Sequence, residues 1–250
     1  MFGMRVPALF LALVSAAACG EKKEKESAPV SPPATSPEDS FTEVDKVALM
    51  EQHYTAAIVA HDMLIRGNLE EFRSRLTTLS AQELPHRAPQ TWSEPHKQMR
   101  AAAKAAGQAT TLDTAAVGMA SVVQICGACH AANPQGPVYR RPEAPKGENL
   151  PAKMQNHQWA SERLWEGITG PWDDAWVRGA AARAQSRVFD DGKGTGTILE
   201  LERRMRKHGE DAKTLTTLAD RATLYGTLLS TCGACHQQMN ANFKTPDPAE

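Results

Sequence analysis

The 250 residues suit one large or two small domains, and 28 basic against 29 acidic residues leave neither the cationic footprint of a nucleic-acid binder nor that of a membrane-surface protein. Hydrophobic residues make up 41% of the chain, enough for a core, but alanine dominates the apolar runs while Val, Ile and aromatic residues are sparse. That balance favours helices over strands and predicts an all-α protein.

In chain order, residues 1–18 read as an export signal: Arg5 gives a positive start, Val6 to Val14 an apolar run, and "SAAAC" a small-residue cleavage site. The run is far short of the roughly 20 residues that cross a bilayer, so a signal peptide is favoured over a membrane anchor. "AAAC" followed by Gly20 resembles a bacterial lipobox, with cleavage before Cys19 and lipid on its thiol. Lipidation also accounts for the odd member of five cysteines. Within the segment 19–40, which begins at the lipidated Cys19, residues 21–40 read "EKKEKESAPVSPPATSPEDS", charged and rich in Pro and Ser, which suits a disordered tether. The expected location is the periplasm, with the protein anchored to a membrane.

Beyond Ser40 the chain repeats itself. "MEQHYTAAIVAHDMLIRGNLEEF" from Met50 parallels "MQNHQWASERLWEGITGPWDDAW" from Met154, an offset of 104, and "CGACH" occurs at Cys126 and again at Cys232, an offset of 106. The first copy spans 41–135 and the second 151–243, with a Pro/Gly-rich linker over 136–150 and a solvated tail over 244–250. In the first copy, helices are expected over 38–66, 69–80, 94–108 and 112–133. In the second they are expected over 151–168, 171–184, 198–211 and 215–240. Asn68 is placed to cap the second helix, with Gly170-Pro171 doing the same in the other copy and Thr197 with Glu200 as a capping box for the seventh.

The first helix of each copy carries an inward stripe: Met50, His53, Ala57, Ala60 and Leu64, answered by Met154, His157, Ser161, Leu164 and Ile168. The last helix carries another. Steps of three and four back from His130 pass Cys126, Val123, Met119, Ala116 and Leu112, and from His236 pass Cys232, Leu229, Tyr225, Ala222, Leu218 and Leu215. The remaining histidines His61, His86, His96 and His208 lack counterparts in the other copy and are expected at the surface or in loops. Trp159, Trp165, Trp172 and Trp176 are expected to pack in the core.

Cys-x-x-Cys-His is the attachment signature of a c-type haem, in which two thiols add across vinyl groups and the adjoining imidazole ligates iron. Two complete units predict two covalent haems, held by Cys126, Cys129 and His130 and by Cys232, Cys235 and His236. A zinc ribbon or a thioredoxin-like motif would require a different context, a knuckle or a preceding strand. Each haem has one further axial position, so at most one of each Met-x-x-His pair binds iron; His53 and His157 are favoured as nitrogen donors, with Met50 and Met154 as the alternatives.

A four-helix unit ending in CxxCH resembles the cytochrome c-prime family and its low-spin relatives, here in tandem. The resemblance covers both copies and implies two four-helix-bundle domains, thioether links at the paired cysteines, proximal ligation by His130 and His236, and a distal face lined by the first helix. The units are shorter than is usual in that family, and the basic residue that commonly follows the haem histidine is replaced by "AAN" and "QQMN". Three functions are compatible: an electron carrier with two six-coordinate haems and redox proteins as partners, a module binding NO or CO at an open site, and a dihaem peroxidase. Inward ligands in both copies favour the electron carrier, which is not an enzyme.

Overall fold

The computed structural model describes residues 40–133, 136–138, 140–189 and 194–241. The expected signal peptide, Cys19 and most of the tether therefore lie outside the described residues, as does the expected tail. Among the described residues there are eight α-helices and no strand: α1 (Glu43–Ile65), α2 (Leu69–Ala81), α3 (Ser93–Ala106), α4 (Leu112–Ala132), α5 (Leu150–Thr169), α6 (Asp173–Gln185), α7 (Gly196–Ala212) and α8 (Leu218–Gln238). The all-α expectation is met.

Local chemistry sets most of the boundaries. The side chains of Thr42, Asn68, Thr111, Asn149, Thr195 and Thr217 each accept a backbone N–H of the following first turn, satisfying a donor that the helix itself leaves open. Asn68 acts as expected. Two expected caps do not. α6 begins at Asp173 with Trp172 at its N-cap and no side-chain cap, so Pro171 stands ahead of the helix; Asp173 and Asp174 supply favourable charge in its first turn instead. α7 starts before Thr197 because Thr195 is available to cap it.

The repeat is visible in the packing, and it is exchanged between copies. α4 and α8 run antiparallel against each other: a Cβ on Gly127 would meet Leu218, one on Gly233 would meet Leu112, and one on Gly226 would meet the Ala116 carbonyl and Ala120. Ser230 Oγ donates to Asp113 Oδ1 across the same seam. The two expected stripes face this seam and the core, with Ala116, Met119, Val123, Ala222, Tyr225 and Leu229 at 2% exposure or less. Each first helix then packs its C-terminal end on the last helix of the other copy. A Cβ on Gly127 would run into the Ile168 carbonyl oxygen, and one on Gly233 into that of Leu64, so at both places only glycine permits the approach. These pairs occupy equivalent positions with the roles of the copies swapped, as in a two-fold assembly. The described residues accordingly belong to one compact unit.

Candidate haem sites

Both CGACH units lie within helices near their C-terminal ends, Cys126 to His130 in α4 and Cys232 to His236 in α8. His130 Nδ1 donates to the carbonyl oxygen of Thr169, the last residue of α5, at 2.5 Å. His236 Nδ1 donates to the carbonyl oxygen of Ile65, the last residue of α1, at 2.7 Å. A helix end has carbonyls without intrahelical partners, so each imidazole satisfies one of them. With Nδ1 fixed as the donor, Nε2 becomes the lone-pair nitrogen of each ring. That is the tautomer a histidine needs to ligate a metal, and a backbone carbonyl on the other nitrogen is the usual way of fixing it.

A cavity of about 720 Å³ opens beside the first unit and is lined by Cys126, Cys129, His130, Met50, His53 and His96 among others. Its size falls within the ordinary range for a cofactor site, roughly 300–1,000 Å³. The second copy contributes to the lining through Trp165 and Thr169. At the mouth Glu43, Glu51 and Lys46 add charge. His53 Nε2 is buried without a hydrogen-bond partner. Burial, reinforced by the neighbouring His96 and His130 imidazoles, pushes the His53 pKa down to about 4, so the ring is neutral and available as a donor.

The second copy repeats the placement of the first-helix histidine. His157 Nε2 is also buried and unpartnered. Burial first, then the Arg183 charge and the His236 imidazole, hold the His157 pKa well below its ordinary value. Each first-helix histidine is therefore electrostatically in reach of the CxxCH histidine of its own copy, as the repeat pattern predicts. Met50 and Met154 are half-buried on the same helices.

The thiols are not poised as thiolates. Burial raises Cys126 to about 12 and Cys232 to about 11, and raises Cys129 and Cys235 as well. All four are free, with Asn133 Nδ2 donating to Cys129 Sγ at 3.6 Å. Neutral thiols do not fit a reactive redox pair, which needs low thiol pKa values. Among the described residues no cluster of three or more His, Cys, Asp or Glu side chains is placed to hold a bare metal ion. A haem needs only two axial donors and two thiols, and both copies supply that set. The residues present fit the group.

Two histidines expected at the surface are buried. His96 is 9% exposed, lies 5.2 Å from the His53 ring between centroids, and has an unpartnered Nε2. His61 is 2% exposed; its Nε2 lies 2.6 Å from the Tyr225 hydroxyl and its Nδ1 lies 3.0 Å from Asp62 Oδ1. His208 is half-buried with Nε2 at 3.4 Å from Thr231 Oγ1, and only His86 is exposed as expected. Of the tryptophans, Trp159, Trp165 and Trp176 are buried and Trp172 is half-buried. Trp165 faces His61 at 4.9 Å between ring centroids. Another residue that pattern reading passed over is Arg183, whose side chain is 1% exposed.

No family model, curated protein or solved structure matches the chain.

Proposed function

We propose that the protein is a dihaem c-type cytochrome that carries electrons, with one haem attached through Cys126 and Cys129 and the other through Cys232 and Cys235. When bound, a haem supplies a one-electron ferric/ferrous couple. His130 and His236 would hold the proximal positions, and His53 and His157 the distal ones. The observation that supports this reading is the matched state of the four imidazoles: two have Nδ1 tied to a carbonyl so that Nε2 is the donor, and two have a buried Nε2 with no partner among the described residues. A buried polar nitrogen left unpaired costs about 1–3 kcal/mol. Four such provisions at repeat-related positions beside CxxCH are accounted for together by two hexacoordinate irons.

The chain's own residues would keep each site in a single state. The tie between the imidazole and the opposite copy orients the ligand, burial of the first-helix histidine keeps it neutral, and the packed apolar walls limit water. Such sites are built to change oxidation state with little rearrangement, which is what an electron carrier requires. The tandem four-helix arrangement belongs to the same proposal, each copy giving its first and last helix to a haem. So does the exported, membrane-anchored location with redox proteins as partners, supported by the signal-like start and Cys19. Detergent-phase partitioning that disappears in Cys19→Ala tests the anchor; a fully soluble protein beginning at another residue rejects it.

Mass spectrometry of the protein co-expressed with a haem-maturation system tests the main proposal. Two haem adducts are expected, and Cys126→Ala with Cys129→Ala should remove one. Absence of any adduct rejects the proposal.

A further inference from the structure

Among the positions at which the two sites differ, one pair exchanges an apolar side chain for a buried cation. In the first copy Leu79 of α2 lines the cavity. The offset of 104 that relates His53 to His157 and Ala57 to Ser161 relates Leu79 to Arg183 of α6. Where the first site has an isobutyl group, the second has a guanidinium. Its Nη2 donates to the carbonyl oxygen of His157 at 2.5 Å and to Ser161 Oγ at 2.6 Å. Among the described residues Nε and Nη1 have no partner, although the residue is 1% exposed. Both acceptors are neutral, and no ion pair within the described residues compensates the cation. Burying an unpaired charge costs several kcal/mol, so the position is expensive to keep for packing alone.

The cation sits among the residues assigned to the second haem. It is hydrogen-bonded to the backbone of His157 and to the Ser161 side chain one turn on, so the charge lies against the helix that supplies the distal histidine. The charged residues lining the first site are Glu43, paired with Lys46 at 2.6 Å, and Glu51, with no arginine among them.

Resting on the dihaem reading, we infer that Arg183 makes the second haem site the higher-potential one, so that an electron entering from a one-electron donor protein settles there. A ferric site carries one more positive charge than a ferrous one, and a fixed cation in a low-dielectric interior repels that extra charge. Uptake of one electron by the second iron relieves the repulsion; transfer from the ferrous first iron to the ferric second iron conserves charge and needs no proton. The apolar Leu79 offers no such term at the first site. Direction is thus built into a molecule whose halves share one arrangement of helices and CxxCH units.

Spectroelectrochemical titration of the full-length protein carrying both haems tests this. Two midpoints are expected, separated by at least a tenfold preference for the second site, 59 mV for one electron. Arg183→Leu should lower only the upper midpoint by a similar amount, and Arg183→Lys, which keeps the charge, should leave most of the separation. Leu79→Lys approaches from the other side and should raise the lower midpoint, a result that does not depend on Arg183→Leu folding. Unmoved midpoints in Arg183→Leu or in Leu79→Lys protein that retains two haems overturn the inference while leaving the dihaem reading intact. A protein with no covalent haem rejects that reading instead.

Discussion

His130 and Thr169 belong to different copies of the repeat, yet the Nδ1 of one donates to the carbonyl oxygen of the other at 2.5 Å, and His236 repeats the bond with Ile65 at 2.7 Å. The approach relies on Gly127 and Gly233, where a Cβ would collide with the Ile168 and Leu64 carbonyls. Overpacking of this kind costs roughly 1–3 kcal/mol. Gly127→Ala and Gly233→Ala should each lower stability by about that amount in chemical denaturation. Each should also loosen the histidine of its own copy, seen as a change in the spectrum of one haem only. Denaturation midpoints matching the unsubstituted protein would show that the seam is not tight.

The sixth ligand is tested by truncation. His53→Ala and His157→Ala should each convert one haem from low to high spin in magnetic-resonance spectra, leaving the other untouched. If both variants stay low-spin while Met50→Ala and Met154→Ala open the sites, methionine is the ligand and the potentials should be higher, since bis-histidine ligation favours ferric iron. Exogenous CO should bind the unsubstituted ferrous protein slowly or not at all. Rapid binding at both haems would transfer support to the gas-binding alternative.

Acid should weaken the fold through His96. Burial, with Arg100 adding to it, lowers the His96 pKa in the folded protein. The unfolded chain, with a histidine pKa of about 6.5, therefore takes up a proton first. Stability is fully present above about pH 6.5 and is lost as pH falls through the window below it. His96→Phe should flatten the pH dependence of the unfolding free energy in that window. An unchanged slope would show that His96 takes no part in acid destabilisation.

Tyr225 is fully buried, and its hydroxyl lies 2.6 Å from His61 Nε2 while donating to the Ser161 carbonyl oxygen at 3.1 Å. Tyr225→Phe leaves both groups without that partner and should cost about 1–3 kcal/mol by thermal or chemical unfolding. Tyr225→Phe with His61→Phe, removing both members, should cost less than the sum of the single changes. Strict additivity would mean that the two side chains do not interact.

Much of the framework was legible in the residues. Helical periodicity placed Ala57, Leu64, Ser161 and Ile168 inward on the first helices, and Ala116, Met119, Ala222 and Tyr225 inward on the last, because a 3.5-residue stripe has one apolar face to bury. Asn68 announced its helix because its side chain has one obvious use there. Periodicity says which face is buried but not against what, so the exchange of α1 and α5 between the CxxCH helices could not be read from it. The signal was nevertheless present: a glycine follows the first cysteine of each unit at the same place, and both glycines turn out to be points of backbone approach. His96 and His61 were misplaced for a related reason. Each was judged by lacking a histidine at the equivalent position, yet the equivalents are the half-buried Glu202 and the buried Trp165, and a position can turn inward in both copies while its chemistry differs.

The contact between His61 and Trp165 shows what two unlike halves permit. These residues are equivalent by the offset of 104 and face each other at 4.9 Å between ring centroids. In an assembly of two identical chains, a residue on the symmetry axis must meet its own copy, so a mutation there changes both sides at once. With both copies of the repeat in one chain, each side of the seam carries its own residue, and a histidine can face a tryptophan.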